Sequence, residues 1–198
     1  MANQILMHAV SQGDVEQAQS IIVEGGADVN CMNTLGETAC HYAALRGSVT
    51  MLEVLLAYGA DPNVNTKKEY GAATPILLAT KQGHIQVVET LIRHNADCNL
   101  PDVQGFTPLH IAAREGKVDL AKLLISHGSN VEAPDNMGKT PYFWAKENNH
   151  TEIMNLLPVY KYEWNTQLKK LKDNIVYIDR KDGDNTKPPP KPRGKGKK

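Results

Sequence analysis

Aromatic residues are scarce in this chain: 198 residues hold two Trp and two Phe, with seven Tyr. A core must then lean on Leu, Ile, Val and Ala, a palette that suits closely packed helices. Cysteine is equally sparse. Cys31, Cys40 and Cys98 form an odd set with no Cys-x-x-Cys pair and no histidine at zinc-binding spacing, which predicts reduced thiols in a cytosolic or nuclear protein. No apolar run approaches the roughly 20 residues that cross a bilayer. The opening MANQILMHAVSQGD lacks a basic start and a sustained apolar stretch, so the expectation is a protein neither secreted nor membrane-spanning. Catalytic signatures are missing too: there is no Gly-x-Ser-x-Gly elbow, no phosphate-cradling Gly-rich loop and no dinucleotide fingerprint. The expectation is no catalytic residue, no metal and no cofactor.

Net charge is absent as well, with 22 basic residues against 22 acidic. That balance argues against a whole-surface nucleic-acid binder. It conceals an asymmetry, because residues 187–198 carry six basic groups and no acid, leaving the rest net negative by six.

What the chain does have is internal repetition. The segments ETACHYAALRG, ATPILLATKQG, FTPLHIAAREG and KTPYFWAKENN align without gaps, placing Thr38, Thr74, Thr107 and Thr140 at spacings of 36, 33 and 33. A second apolar segment follows each. The stretch from Ile5 to Asn30 matches the pattern without the Thr-Pro opening, which makes five units. Each unit reads as two short helices. The threonines suit the N-cap, and Pro75, Pro108 and Pro141 suit the first helical position, where a missing N–H costs nothing. Gly13, Gly47, Gly83 and Gly116 end the first helix, with Asn149 in that place in the last unit. So short a helix pair cannot bury its own apolar face, and stability must come from stacking neighbours.

These residues resemble the ankyrin repeat family. Asp102, Gly105, Thr107, Pro108, Leu109, His110, Ala112, Ala113 and Gly116, then Leu123, Leu124 and Gly128, follow its signature. The resemblance covers about residues 2–158 and implies an all-α solenoid of helix-turn-helix units with projecting loops. Unit boundaries are expected near 2–30, 31–63, 64–99, 100–132 and 133–158. Two departures stand out. The third unit carries an insertion, NTKKEYGAAT, which predicts a more prominent loop around Lys67 to Tyr70. In the last unit Tyr142, Phe143 and Trp144 predict a bulkier final interface.

Seven histidines invite a catalytic reading. His41 and His110 instead occupy a repeat position, which in the family resembles a hydrogen-bonding group joining neighbouring loops. His84, His94, His127 and His150 fall near helix ends, where an imidazole serves a free carbonyl.

The resemblance implies a protein-binding role, with loops and first helices as the contact surface. On the loop tips, Leu35, Tyr70, Phe106 and Met137 are candidate exposed anchors. At the ends of the first helices, Arg46, Lys81, Arg114 and Glu115 form a mixed ladder in register. Beyond Pro158 the repeat stops. There Tyr160, Trp164, Leu168, Leu171 and Ile175 recur at helical spacing, predicting an amphipathic segment over residues 159–178 that caps the stack or docks on a partner through Trp164. Residues 179–198 form a basic Pro/Lys/Gly-rich tail. Its Lys187, Lys191, Arg193, Lys195, Lys197 and Lys198 are candidate contacts for a polyanion: an acidic protein surface such as tubulin tails, nucleic acid or anionic lipid. The expected role is a non-catalytic adaptor or structural subunit in the cytoplasm, cytoskeleton or nucleus. The alternative is a nucleic-acid-associated regulatory factor whose tail is the primary contact.

Overall fold

The structure, a computed structural model, describes residues 1–157. The ten α-helices among them form five consecutive pairs: α1 (Ala2–Gln12) with α2 (Val15–Val23), α3 (Ala39–Arg46) with α4 (Val49–Ala57), α5 (Pro75–Gln82) with α6 (Ile85–Arg93), α7 (Pro108–Glu115) with α8 (Val118–Ser126), and α9 (Pro141–Glu147) with α10 (Thr151–Leu156). No strand occurs among the described residues. The prolines stand at the first helical positions of α5, α7 and α9. Asn149 adopts the left-handed conformation, φ 60°, at the end of the last first helix. The third-unit insertion forms a single 3-10 turn, Lys68–Tyr70.

Side-chain size sets the curvature. The first helices meet through Ala9, Ala43, Ala44, Ala79, Ala112, Ala113 and Ala145, all buried. The second helices meet through Leu52, Leu55, Leu91, Leu120 and Leu124, also buried. Interaxial distance follows the bulk of the residues at the contact, and the first helices pack on one another more extensively than the second helices do. Within residues 1–157 the stack therefore bends toward its first helices, which line the inner side.

Polar groups tie unit to unit. Asn30, Asn63 and Asn99 recur at the end of each second-helix segment. The Asn30 Oδ1 accepts from the Asp61 N–H at 2.8 Å while its Nδ2 donates to the Gly59 carbonyl at 3.0 Å. Asn63 repeats this with Asp97 N–H at 2.8 Å and the Asn95 carbonyl at 3.1 Å, and Asn99 with Asn130 N–H at 2.7 Å and the Gly128 carbonyl at 3.3 Å. Each asparagine thus satisfies one donor and one acceptor that a turn would otherwise leave open. Asn63→Ala removes both bonds at the second-to-third-unit junction and is expected to cost about 1–3 kcal/mol, read as a lowered urea midpoint with an unchanged m-value.

A second set of ties closes the first helices. The last carbonyls of a helix have no partner inside it, and here the neighbouring unit supplies one. His84 Nε2 donates to the Leu45 carbonyl at 3.2 Å, Lys117 Nζ to the Thr80 carbonyl at 2.8 Å and to that of Lys81, and His150 Nε2 to the Arg114 carbonyl at 3.1 Å. These donors all sit at the N-cap of a second helix and reach back one unit. At the second unit that position is Ser48, too short to reach, and Arg46 donates to the Ser11 carbonyl instead.

Candidate functional site

The inner side is built from the first helices and the loops ahead of them. Each loop is shaped by an Asx turn. Asn33 Oδ1 accepts from the N–H groups of Leu35 and Glu37, Asp102 Oδ1 from Gln104 and Phe106, and Asp135 Oδ1 from Met137 and Lys139, all at 2.8–2.9 Å. In the third unit Thr66 takes this place, its Oγ1 accepting from the Ala73 N–H at 2.9 Å. Successive loops then bond backbone to backbone: Lys67 N–H to the Leu35 carbonyl, Val103 N–H to that of Gly71, and Asn136 N–H to that of Gln104, each at 3.0 Å. The loop tips form one continuous edge.

Two buried imidazoles hold that edge to the helices. In each, Nδ1 accepts from the N–H of its capping threonine, at 3.0 Å for Thr38 and His41 and 3.2 Å for Thr107 and His110. The threonine hydroxyl also turns to this nitrogen, at 2.9 Å in both cases. Nε2 then donates to the next loop, His41 to the Ala73 carbonyl at 3.0 Å and His110 to the Lys139 carbonyl at 3.1 Å. With Nδ1 accepting and Nε2 donating, the ring must be neutral. Burial pushes the pKa of both below the usual imidazole value, against a smaller upward pull from the accepting carbonyl. Neither imidazole has a nitrogen left to ligate a metal or move a proton.

In the third unit Leu77 replaces the imidazole, and the tie to the fourth becomes apolar. Leu77, Phe106 and Ile111 form a small buried cluster, distinct from the main core, with Trp144 packed against it. Phe106 is 4% exposed, which corrects the expectation of an exposed loop-tip anchor. Its ring stands edge-on to His110 at 5.6 Å and tilted against Trp144 at 5.3 Å. The Trp144 indole N–H donates to Asp135 Oδ2 at 2.9 Å, and Lys139 Nζ lies 4.2 Å from the centre of the Phe143 ring. The bulky last unit thus covers the aromatic ring of the unit before it.

The other candidates divide by what already occupies them. Tyr70 and Met137 are 56% and 54% exposed, open on the loop edge, whereas Leu35 is half-buried. Lys81 is exposed at the end of α5. Arg46, though exposed, spends its guanidinium on Ser11. Arg114 is half-buried over the Phe106 ring at 5.0 Å, and also 3.5 Å from Glu115. Glu115 is paired a second time, with Lys117 at 2.7 Å. Trp164 and the tail residues Lys187 to Lys198 lie outside the described residues, as does the amphipathic segment. Three half-buried residues join the site, Tyr42, Leu78 and Trp144, each one residue after the imidazole position, whereas Ile111 at the same position of the fourth unit is closed in the Phe106 cluster. The signal was the register itself, since these positions are apolar or aromatic in four successive units.

All three cysteines are free and buried. Burial, aided by the Asp61 charge, pushes Cys40 up to about 12, and burial raises Cys31 and Cys98 as well. These thiols stay protonated at neutral pH, without the thiolate that nucleophilic attack or metal ligation needs. Among the described residues no cluster of metal-ligating side chains occurs, and no helix is long and apolar enough to cross a membrane.

Stacked helix pairs with an interlocked loop edge define a helical repeat protein. A family profile described as ankyrin repeats in three copies matches residues 6–102 and 99–167, and the chain belongs to the ankyrin repeat family. Relatives include the inactive serine/threonine-protein kinase TEX14 of Bos taurus, 33% identical over 96 residues, covering 48% of this chain and 6% of that protein. The 2-5A-dependent ribonuclease of Mus musculus is 40% identical over 75 residues, 37% of this chain and 10% of the relative. Potassium channel AKT1 of Oryza sativa subsp. indica is 43% identical over 76 residues, 38% of this chain and 8% of the relative. The chain thus spans a tenth or less of each of these proteins. Repeats of this family are generally non-catalytic and suggest a role in binding protein.

Proposed function

We propose that the chain is a non-catalytic adaptor or structural subunit of a larger assembly, gripping a protein with its inner face and loop tips. The observation that supports this best is the set of half-buried inner residues Tyr42, Leu78 and Trp144, beside a loop edge that leaves Tyr70 and Met137 open. An apolar set flanked by exposed anchors is what a polypeptide partner needs for a desolvated centre with a polar rim. The shared stretch recurs in relatives named as an inactive kinase, a ribonuclease and a potassium channel, which favours a portable contact module over any one activity. In this reading Lys187, Lys191, Arg193, Lys195, Lys197 and Lys198 add a second, electrostatic contact with an acidic surface such as tubulin tails, raising avidity without new chemistry. A cytoplasmic location is part of the same proposal.

Affinity isolation from native cells tests it, comparing the full chain, a chain ending at Val159, and a full chain with Tyr70→Ala and Met137→Ala. The first two should retain the same proteins, and the third should lose them at least about tenfold, as for two interface anchors. Loss of every partner on truncation would move the function to residues 160–198. RNA or DNA binding that falls steeply with salt and vanishes with residues 187–198 would instead mark the tail as primary.

A further inference from the structure

Charge is not spread evenly over the described residues. The second helices and the stretches closing each unit, residues 15–30, 49–63, 85–99, 118–132 and 151–157, hold ten acidic residues against two basic, Arg93 and Lys122. The loops, first helices and following turns hold eight basic against seven acidic. Several of those seven are already committed. Asp102 and Asp135 spend a carboxylate oxygen on two backbone N–H groups each, Asp14 caps α2 at the Gln17 N–H, and Glu115 is paired with Arg114 and Lys117. Arg46, Arg114 and Lys117 are committed as well. The inner side is net positive by one against an outer side net negative by eight. Its unengaged cations concentrate in the third unit, where Lys67 and Lys68 stand exposed on the inserted loop beside Glu69, and Lys81 at the end of α5. Leu78, half-buried on α5, lies in the same unit.

Resting on the reading of the inner face as the protein-binding surface, we propose that its occupant is an extended acidic polypeptide segment. Its carboxylates face Lys67, Lys68 and Lys81, and its apolar side chains lie on the half-buried Leu78 and Trp144. Spacing favours a peptide. Stacked helices stand about 8–10 Å apart, and an extended chain advances about 3.3–3.6 Å per residue, so every third residue meets the next unit. A short acidic stretch therefore covers the cations of the third unit, and the residues beyond it reach the unit that follows. A nucleic acid is disfavoured by the outer side, whose ten acids and two bases repel a dense phosphate backbone.

Selection of displayed random 12-residue peptides on the full chain tests this. Selected peptides should be enriched in Asp and Glu over the input library. Their binding, followed by fluorescence anisotropy with labelled copies, should weaken roughly tenfold in Lys68→Glu/Lys81→Glu and stay within about twofold in Lys122→Glu, which makes the same charge change on the outer side. Selected peptides that lack acidic enrichment but lose binding with Tyr70→Ala/Met137→Ala would overturn the acidic occupant and leave the inner-face reading standing. Acidic peptides held equally by Lys68→Glu/Lys81→Glu would overturn the proposal by placing their contact elsewhere, the basic tail included. Peptides indifferent to every inner-face substitution would remove both readings.

Discussion

Gly105→Val destabilises the chain by roughly 2–5 kcal/mol, a large part of a domain's usual 5–15 kcal/mol. Gly105 sits in the fourth-unit loop with φ 84°. A left-handed conformation costs an L-residue about 1–2 kcal/mol, and a β-branched one is worse placed still. Space adds to this cost, since a Cβ there would meet the Asn136 backbone nitrogen at 2.6 Å and the Asp135 carbonyl carbon at 3.0 Å. Those atoms belong to the next loop, and they cannot yield without breaking the Asn136 N–H bond to Gln104. Overpacking against backbone costs about 1–3 kcal/mol more. Gly128→Ala separates the two causes: its φ of 83° is nearly identical, but nothing lies within 4 Å of the added carbon. It should cost about 1–2 kcal/mol. Urea unfolding of both variants checks the ordering, and hydrogen exchange at the Asn136 amide should quicken in Gly105→Val alone. Equal losses at the two positions would show that loop contact contributes nothing.

Acidification loosens the same loop edge at two places. His41 and His110 are 1% and 0% exposed, and both have a pKa held below the usual value of 6.5 by burial. Once released in the unfolded chain, each binds its proton at the ordinary value. Between the folded and unfolded values the unfolded state therefore carries more protons, and stability rises with pH across that window. Their contribution is complete above about pH 6.5 and declines as pH falls below it toward the lower folded value. Urea midpoints measured from pH 7.5 down to 5 should decline for this reason. His41→Gln/His110→Gln should be less stable at pH 7.5, by about 1–3 kcal/mol per site, yet lose less on acidification than the parent. A double variant with the parent's slope would mean that these rings do not carry the pH dependence.

The helices and their ends were legible in sequence because each signal is local. Thr-Pro openings, glycines after eight residues and apolar stripes act within one unit, and Tyr70 could be placed outside because an insertion must go somewhere. The threonine caps were legible for the same reason: Thr74 accepts from the Leu77 N–H, and Thr38 and Thr107 form capping boxes with His41 and His110, whereas Thr140 makes no side-chain cap bond. Phe106 was not legible in this way. Its burial depends on Trp144, one unit later, and on Leu77, one unit earlier, and no pattern within a unit reports that contact. Arg46 likewise read as a free contact residue because its carbonyl partner, Ser11, lies a unit away in the chain. Local periodicity shows which residues face inward, but not which of them the next unit has already engaged.

The ties between units run in a fixed order: the imidazole of one unit serves the loop ahead, and the N-cap donor of a second helix serves the helix behind. A gene that loses or duplicates a stretch one unit long rejoins these donors and acceptors in matching positions. A deletion of half that length leaves them facing the wrong partners. The chain is therefore built to change length in whole steps, and each added step lengthens the inner face without redesigning it.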